Sequence, residues 1–151
     1  MMKRLLLSLT LLGSLVAYPL SVAAQEGNWV EVTRNSVGDR FLVNPTSIES
    51  RGGFVWYWEY RDFPQPNNAI VGLDVGQPVY GVMFYRSTDC DSGATRLRRM
   101  VIHDQNRQVL RRVVYNDNGP LTRPAQGSSA EAVVRYACTH RPNTETPTSG
   151  N

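Results

Sequence analysis

Hydrophobic and polar positions in this chain alternate mostly with the period of two that is typical of β-strands. Two β-rich runs around a turn-forming stretch predict a first hairpin, at residues 28–33 and 39–44. Four more runs predict two single strands and a second hairpin, at residues 54–63, 79–89, 95–104 and 108–116. Only residues 130–138 have helical spacing, with Ser128 or Ser129 as the N-cap. The pattern predicts an α+β fold, an antiparallel sheet of about six strands packed by one C-terminal helix.

The third predicted strand carries apolar side chains on both faces. Phe54, Trp56 and Trp58 fall on one face, while Val55 and Tyr57 fall on the other. A domain of this size needs a core, so we expect the first set to pack under the helix. Tyr57 is then the exposed aromatic residue and a candidate binding residue.

Residues 64–78 contain three prolines and two glycines and fit no regular element. We expect a long mobile loop there. Before it, Asn44 and Pro45 predict a turn or a single helical turn in which the Asn44 side chain caps exposed amides.

The first 24 residues have the features of a cleavable signal peptide. Lys3 and Arg4 precede an apolar stretch at residues 5–16, and small residues lead to Ala24. The stretch is too short for a stable membrane span, so we expect export, with no membrane span after cleavage. No cysteine stands near the expected cleavage point, so we expect no lipid anchor. The predicted units are a signal peptide at 1–24, a β-rich domain at 25–140 and a disordered tail at 141–151.

Charge argues against a nucleic-acid partner. The whole chain has a net charge of +3, but Lys3 and Arg4 leave with the signal peptide and reduce it to +1. A chain so close to neutral has little general attraction for nucleic acid or anionic lipid. All remaining basic residues are arginines, which keep their charge and bind carboxylates through a planar fork.

The chain has two cysteines, Cys90 and Cys138, both in the part expected to be exported. In an oxidising compartment such a pair is expected to form a structural disulfide. Closing the intervening loop stabilises the fold by about 4 kcal/mol in the chain-entropy model.

Catalytic and metal-binding patterns are weak. His103 and His140 are the only histidines, and no nucleophile motif of the G-x-S-x-G type occurs, so we expect no enzyme activity. Asp89 and Asp91 flank Cys90 and are expected to be solvated turn residues, although weak contact with calcium is an alternative. The sequence predicts no metal site and no cofactor.

Arginines concentrate on the second predicted hairpin, at Arg96, Arg98, Arg99, Arg111 and Arg112. With the turn centred on Gln105 and Asn106, Arg99 lies opposite Arg112, and like charges placed so repel each other. Either neighbouring carboxylates neutralise this charge or an anionic ligand binds there. We treat the five arginines as candidate binding residues.

The order of these features resembles the surface-adhesin protein E-like family. The resemblance covers residues 28–138 and rests on a set of short motifs in order: Trp29-Val30, residues 41–45 with Ser47-Ile48, Gly52-Gly53, Val55-Trp56, Cys90, Ser128 or Ser129, and Cys138. It implies a small antiparallel sheet, a C-terminal helix and a Cys90–Cys138 bond. It also implies a bacterial surface protein that binds host matrix and plasma proteins. Unlike the lipid-anchored adhesin that gives the family its name, this chain is expected to be free in the periplasm or medium.

We therefore expect an exported, non-enzymatic module that binds a protein or extracellular-matrix partner through residues 64–78 and the arginine hairpin. The alternative is a periplasmic structural or accessory protein of an envelope complex, with no adhesin role.

Overall fold

The computed structural model describes residues 27–143, which form one sheet and one α-helix. The predicted signal peptide at 1–24 and the tail beyond residue 143 lie outside the described residues. The strands are β1 Val30–Arg34, β2 Arg40–Val43, β3 Glu49–Arg51, β4 Phe54–Asp62, β5 Gly81–Thr88, β6 Thr95–His103, β7 Val109–Val114 and β8 Leu121–Thr122. The helix is α1, Ser129–Thr139, and short 3-10 turns occupy Pro45–Ser47, Asn68–Val71 and Asn116–Asn118.

All strand pairs are antiparallel, and the main order is β1-β2-β4-β5-β6-β7. The short strands β3 and β8 pair with β4 and β6. They raise the number of described strands from the predicted six to eight. The α+β prediction is confirmed, and the sheet has one helix-bearing face and one face turned away from the helix.

Local capping chemistry fixes two elements as the sequence predicts. The Asn44 side chain accepts a hydrogen bond from the Thr46 backbone amide and starts the Pro45–Ser47 turn. The Ser128 hydroxyl accepts a bond from the Glu131 amide and starts α1. The Cys138 end of α1 is bonded to Cys90, just after β5, so the predicted disulfide is confirmed.

Two buried clusters share the helix-bearing face. The first lies under α1 and contains Phe41, Val43, Ile48, Val55, Tyr57, Val133 and Ala137. The second contains Phe63, Val71, Val79, Val82, Phe84, Met100 and Ile102. The first cluster packs the sheet against α1, and the second continues the core beyond the helix.

Residues 64–78 contain no strand or α-helix, as predicted, but Asn68–Val71 forms a 3-10 turn and part of the segment packs against the sheet, so it is not the free loop that the sequence suggested. Val71 is buried in the second cluster, and Ile70, Leu73 and Val75 pack against the same cluster. The Asn68 side chain accepts a bond from the Val79 amide and donates one to the Gln77 carbonyl. The segment therefore covers the half of the helix-bearing face that α1 does not reach.

The predicted assignment of the β4 faces is also wrong. Val55, Tyr57 and Glu59 point towards α1 and are 3%, 0% and 1% exposed. Phe54 is 43% exposed, and Trp56 and Trp58 are only partly buried on the other face. Val133 and Ala137 of α1 pack in the same cluster as Val55 and Tyr57, so this face of β4 lies beneath the helix. Tyr57 is therefore a core residue and is removed from the candidate binding set.

Candidate functional site

The face of the sheet turned away from α1 carries aromatic and basic side chains. We call it the open face, because the one α-helix in residues 27–143 lies on the opposite side. Strand alternation and pairing bring its residues together: Trp29, Trp56, Trp58, Tyr60, Met83, Tyr85, Arg98, Arg99, His103, Arg107 and Arg112. Aromatic rings and guanidinium groups on one surface are the composition of a binding surface.

Stacked rings and guanidinium groups form the centre of the open face. The Arg51 guanidinium lies 4.0 Å from the Trp56 ring centre, and the Arg98 guanidinium lies 4.5 Å from it. The ring centres of Trp58 and Tyr85 are 5.0 Å apart in a stacked arrangement. The Arg99 guanidinium lies 5.7 Å from the Tyr85 ring centre. These cation–π and stacking contacts hold the side chains in a fixed array, which we call the aromatic–arginine ladder.

A β-bulge brings two neighbouring arginines to the ladder. In the pairing of β5 with β6, Tyr85 faces Arg99 but the next residue, Arg86, faces Leu97, which leaves Arg98 as the extra residue. Arg98 and Arg99 therefore both reach rings of the open face instead of alternating between faces.

The two arginines have different environments. Arg98 donates to the Ser87 hydroxyl at 2.8 Å and to the Asn116 carbonyl, and it forms an ion pair with Asp117. Arg99 is exposed and makes no ion pair with any residue in the described part of the chain. Arg98 therefore positions the ladder, while Arg99 is available to a partner.

The remaining predicted arginines do not form one cluster. Arg96 donates to the Gly119 carbonyl at 2.9 Å, so it holds the connection before β8. Arg111 points to the helix-bearing face, where it donates to the Asp74 carbonyl at 3.3 Å. Arg112 is exposed on the open face. The structure thus places three of the five, Arg98, Arg99 and Arg112, on one surface.

The predicted opposition of Arg99 and Arg112 is wrong. Arg99 pairs with Val114, and Arg112 pairs with Val101. Arg107 adopts a left-handed conformation with φ of 61° in the turn, and the register shifts again between Ile102 and His103. The two arginines are therefore two positions apart along the hairpin, so they lie diagonal to each other on the open face and not directly opposite.

A cavity of about 220 Å³ opens near the ladder, lined by Trp29, Arg40, Leu42, Tyr60, Met83, His103 and Arg107. His103 is only 2% exposed, and its Nδ1 atom has no hydrogen-bond partner among the described residues. Burial lowers the pKa of the His103 imidazole, and the nearby positive charge of Arg112 lowers it further. His103 is therefore a neutral, buried histidine of the sheet.

The His103 environment predicts acid sensitivity. Because the folded-state pKa is depressed, this residue stabilises the fold above its unfolded pKa, and the contribution is lost as pH falls towards the folded value. We expect the wild-type free energy of unfolding to fall between pH 7 and pH 5 by more than that of His103→Met, as measured by urea unfolding. The matched control is His140→Met, since His140 is exposed at the end of α1. Equal losses in the wild type and His103→Met would contradict this assignment.

A family model for surface-adhesin protein E matches residues 29–139. The chain belongs to this family. The match includes all eight strands, α1 and both cysteines, so the fold, the disulfide and the open face all lie within the family domain. Membership of the surface-adhesin protein E family indicates an adhesin-like binding module that is exported or exposed at the surface. No curated protein matches the chain.

Residues 27–143 show neither a metal-binding group of side chains nor a membrane-spanning helix. Residues 27–143 contain no group of three or more histidine, cysteine or acidic side chains placed to hold a metal ion. Asp89 accepts bonds from the Asp91 amide and the Ser92 hydroxyl, so its carboxylate stabilises a turn. In the same range, no helix has the length and apolar character needed to cross a membrane.

Proposed function

We propose that this protein is an exported, non-enzymatic binding module that contacts a protein or extracellular-matrix partner through its open face. The observation that carries the proposal is the aromatic–arginine ladder on a sheet face that no helix of residues 27–143 covers. Family membership supports the adhesin-like role, and the ladder supplies a surface for it.

The ladder has the physical properties of an interface centre. Tryptophan, tyrosine and arginine contribute most to binding when a partner excludes water from them. Stacking already restrains Trp58, Tyr85 and Arg98, so binding costs little side-chain entropy. Arg99 and Arg112 add exposed positive charge that attracts an acidic partner surface.

The packed state of residues 64–78 changes the predicted contact surface. This segment covers the second core cluster on the helix-bearing face, so its main role is structural. We therefore place the partner contact on the open face alone.

The non-enzymatic part of the proposal is supported by the positions of the two histidines. His103 is buried within the sheet, whereas His140 lies exposed beyond α1 and stacks on Tyr136 with ring centres 3.9 Å apart. Neither histidine has a hydroxyl or thiol nucleophile as a hydrogen-bond partner among the described residues.

The proposal predicts that charge on the open face contributes to adhesion. We expect Arg99→Ser/Arg112→Ser to bind an immobilised extracellular-matrix extract at least roughly tenfold more weakly, and with a weaker salt dependence, than the wild type. The matched control is Arg135→Ser/Arg141→Ser, which removes two exposed arginines near the C-terminal end of α1. Unchanged binding of the open-face variant at every salt concentration would show that the open face is not the contact surface.

A further inference from the structure

A second cavity, of about 180 Å³, lies between the sheet and the first turns of α1. It belongs to the helix-bearing face and is separate from the open face. Its lining includes three arginines and one glutamate: Tyr57, Glu59, Arg61, Arg86, Thr95, Thr122, Arg123, Pro124, Ala130 and Val134.

A buried carboxylate with two guanidinium groups forms the floor of this cavity. Glu59 is 1% exposed, and its two oxygens accept bonds from Arg61 Nε at 2.6 Å and Arg86 Nε at 2.7 Å. Burial alone raises the pKa of the Glu59 carboxyl, but the two guanidinium groups outweigh it and hold the pKa below its usual value. Glu59 is therefore ionised at neutral pH.

The charges that line the cavity do not balance. Three guanidinium groups, those of Arg61, Arg86 and Arg123, face one carboxylate, which leaves a formal charge of +2. Arg123 is exposed to solvent, but Arg61 and Arg86 are largely buried and outnumber the single charge of Glu59, so the excess positive charge between them favours an anion.

Hydrogen-bond donors are available for such an anion. Arg61 and Arg86 use their Nε–H groups for Glu59, and their terminal N–H groups have no acceptor among the described residues. Both side chains keep a small exposure, 13% and 14%, so these donors are reachable from solvent. The Phe84 ring lies under both guanidinium groups, at 5.1 Å and 4.5 Å, and restrains them.

Glu59 is the one acidic residue of the described region that lines the cavity. Asp89 is close enough to Arg123 for the arginine to help lower its pKa, after the larger effects of its bonds to Ser92 and the Asp91 amide. However, the Asp89 carboxylate stabilises its own turn and does not line the cavity. Glu131 is paired with Arg135 and the Gly127 amide.

We propose that this cavity binds a doubly charged tetrahedral oxyanion, either as free sulfate or phosphate or as the phosphate monoester group of a larger molecule. The charge of the ion matches the +2 of the lining, and guanidinium groups form paired hydrogen bonds with such oxygens. Arg123 closes the site from the β8 side. This assignment does not depend on the function proposed for the open face.

Calorimetric titration of the mature, disulfide-bonded protein with sodium sulfate and with sodium phosphate, at constant ionic strength in chloride, tests the site. We expect saturable binding of one ion per chain and at least roughly tenfold weaker binding by Arg123→Gln. The matched control, Arg135→Gln on α1, is expected to bind as the wild type does. No saturable binding, or equal binding by Arg123→Gln and the wild type, would overturn the proposal.

Two further measurements identify the source of the anion and test whether the site is independent of the open face. N-acetylglucosamine 6-phosphate is titrated beside N-acetylglucosamine, and tighter binding of the phosphorylated sugar than of inorganic phosphate supports an ester ligand. Binding of the inorganic ions alone supports a free ion. The open-face variant Arg99→Ser/Arg112→Ser is expected to bind sulfate normally, so failure of one proposal is distinguishable from failure of the other.

Discussion

Replacing Glu59 by glutamine is expected to lower the free energy of unfolding by about 3 to 5 kcal/mol. Glu59 is buried, and its carboxylate contacts the Nε–H groups of Arg61 and Arg86. Glutamine keeps the shape but removes the negative charge, so two guanidinium groups remain largely buried without a counter-charge. Urea unfolding followed by tryptophan fluorescence measures the loss.

The matched control for this variant is Glu49→Gln on β3, since Glu49 is exposed. We expect it to change the free energy of unfolding by less than about 0.5 kcal/mol. The pH dependence gives a second test, because the pKa of Glu59 is depressed in the folded state. Its stabilising effect is present above the unfolded pKa and is lost as pH falls through the folded value, so Glu59→Gln should be less acid-sensitive than the wild type. A loss below about 1 kcal/mol at pH 7 would contradict the role given to this ion cluster.

Removing the disulfide with Cys90→Ala/Cys138→Ala is expected to lower the free energy of unfolding by about 4 kcal/mol. The two cysteines are 48 residues apart in sequence, and their bond joins the C-terminal part of α1 to the end of β5. Without it, the unfolded chain gains entropy, and α1 keeps only packing contacts such as those of Val133 and Ala137. Denaturant unfolding without reductant measures the change.

The control for the disulfide is the wild type with dithiothreitol. Reduction is expected to reproduce the stability of the alanine variant, while dithiothreitol should leave the variant itself unchanged. Equal unfolding midpoints for the oxidised wild type and the variant would show that the bond contributes no stability.

The sequence predicts best where the structure depends on local chemistry. The Asn44 and Ser128 caps act within two or three residues, so residue type alone indicates them. The first hairpin follows from alternation around a turn. The pairing of Cys90 with Cys138 follows from there being one possible pair.

The sequence does not determine which face of β4 is buried, because both faces carry large side chains. The sequence alone suggests a surface position for Glu59. In the structure it pairs with Arg86 of β5, which lies 27 positions away in sequence. The sequence alone suggests a core position for Trp56, but in the structure the guanidinium groups of Arg51 and Arg98 lie over its ring. Both outcomes depend on partners from other strands, so strand alternation alone gave the wrong face and missed Glu59 and Arg61 as residues of a site.

The sequence pattern also did not predict the strand register or the packing of residues 64–78. The amino-acid composition does not indicate the bulge that brings Arg98 and Arg99 to one face. The register of the β6–β7 hairpin gives Arg99 and Arg112 partners other than those predicted. Residues 64–78 have too many prolines and glycines to show periodicity, yet Val71 is buried against the sheet. Tertiary packing decides these features.

The most direct test of the open face as the binding surface is hydroxyl-radical footprinting of the protein free and bound to an immobilised extracellular-matrix extract. We predict that oxidation of Trp56, Trp58 and Tyr85 falls on binding, while oxidation of Tyr136, on α1, stays unchanged. Protection of Tyr136 with unchanged oxidation of the three ladder residues would place the partner on the helix-bearing face and contradict the account.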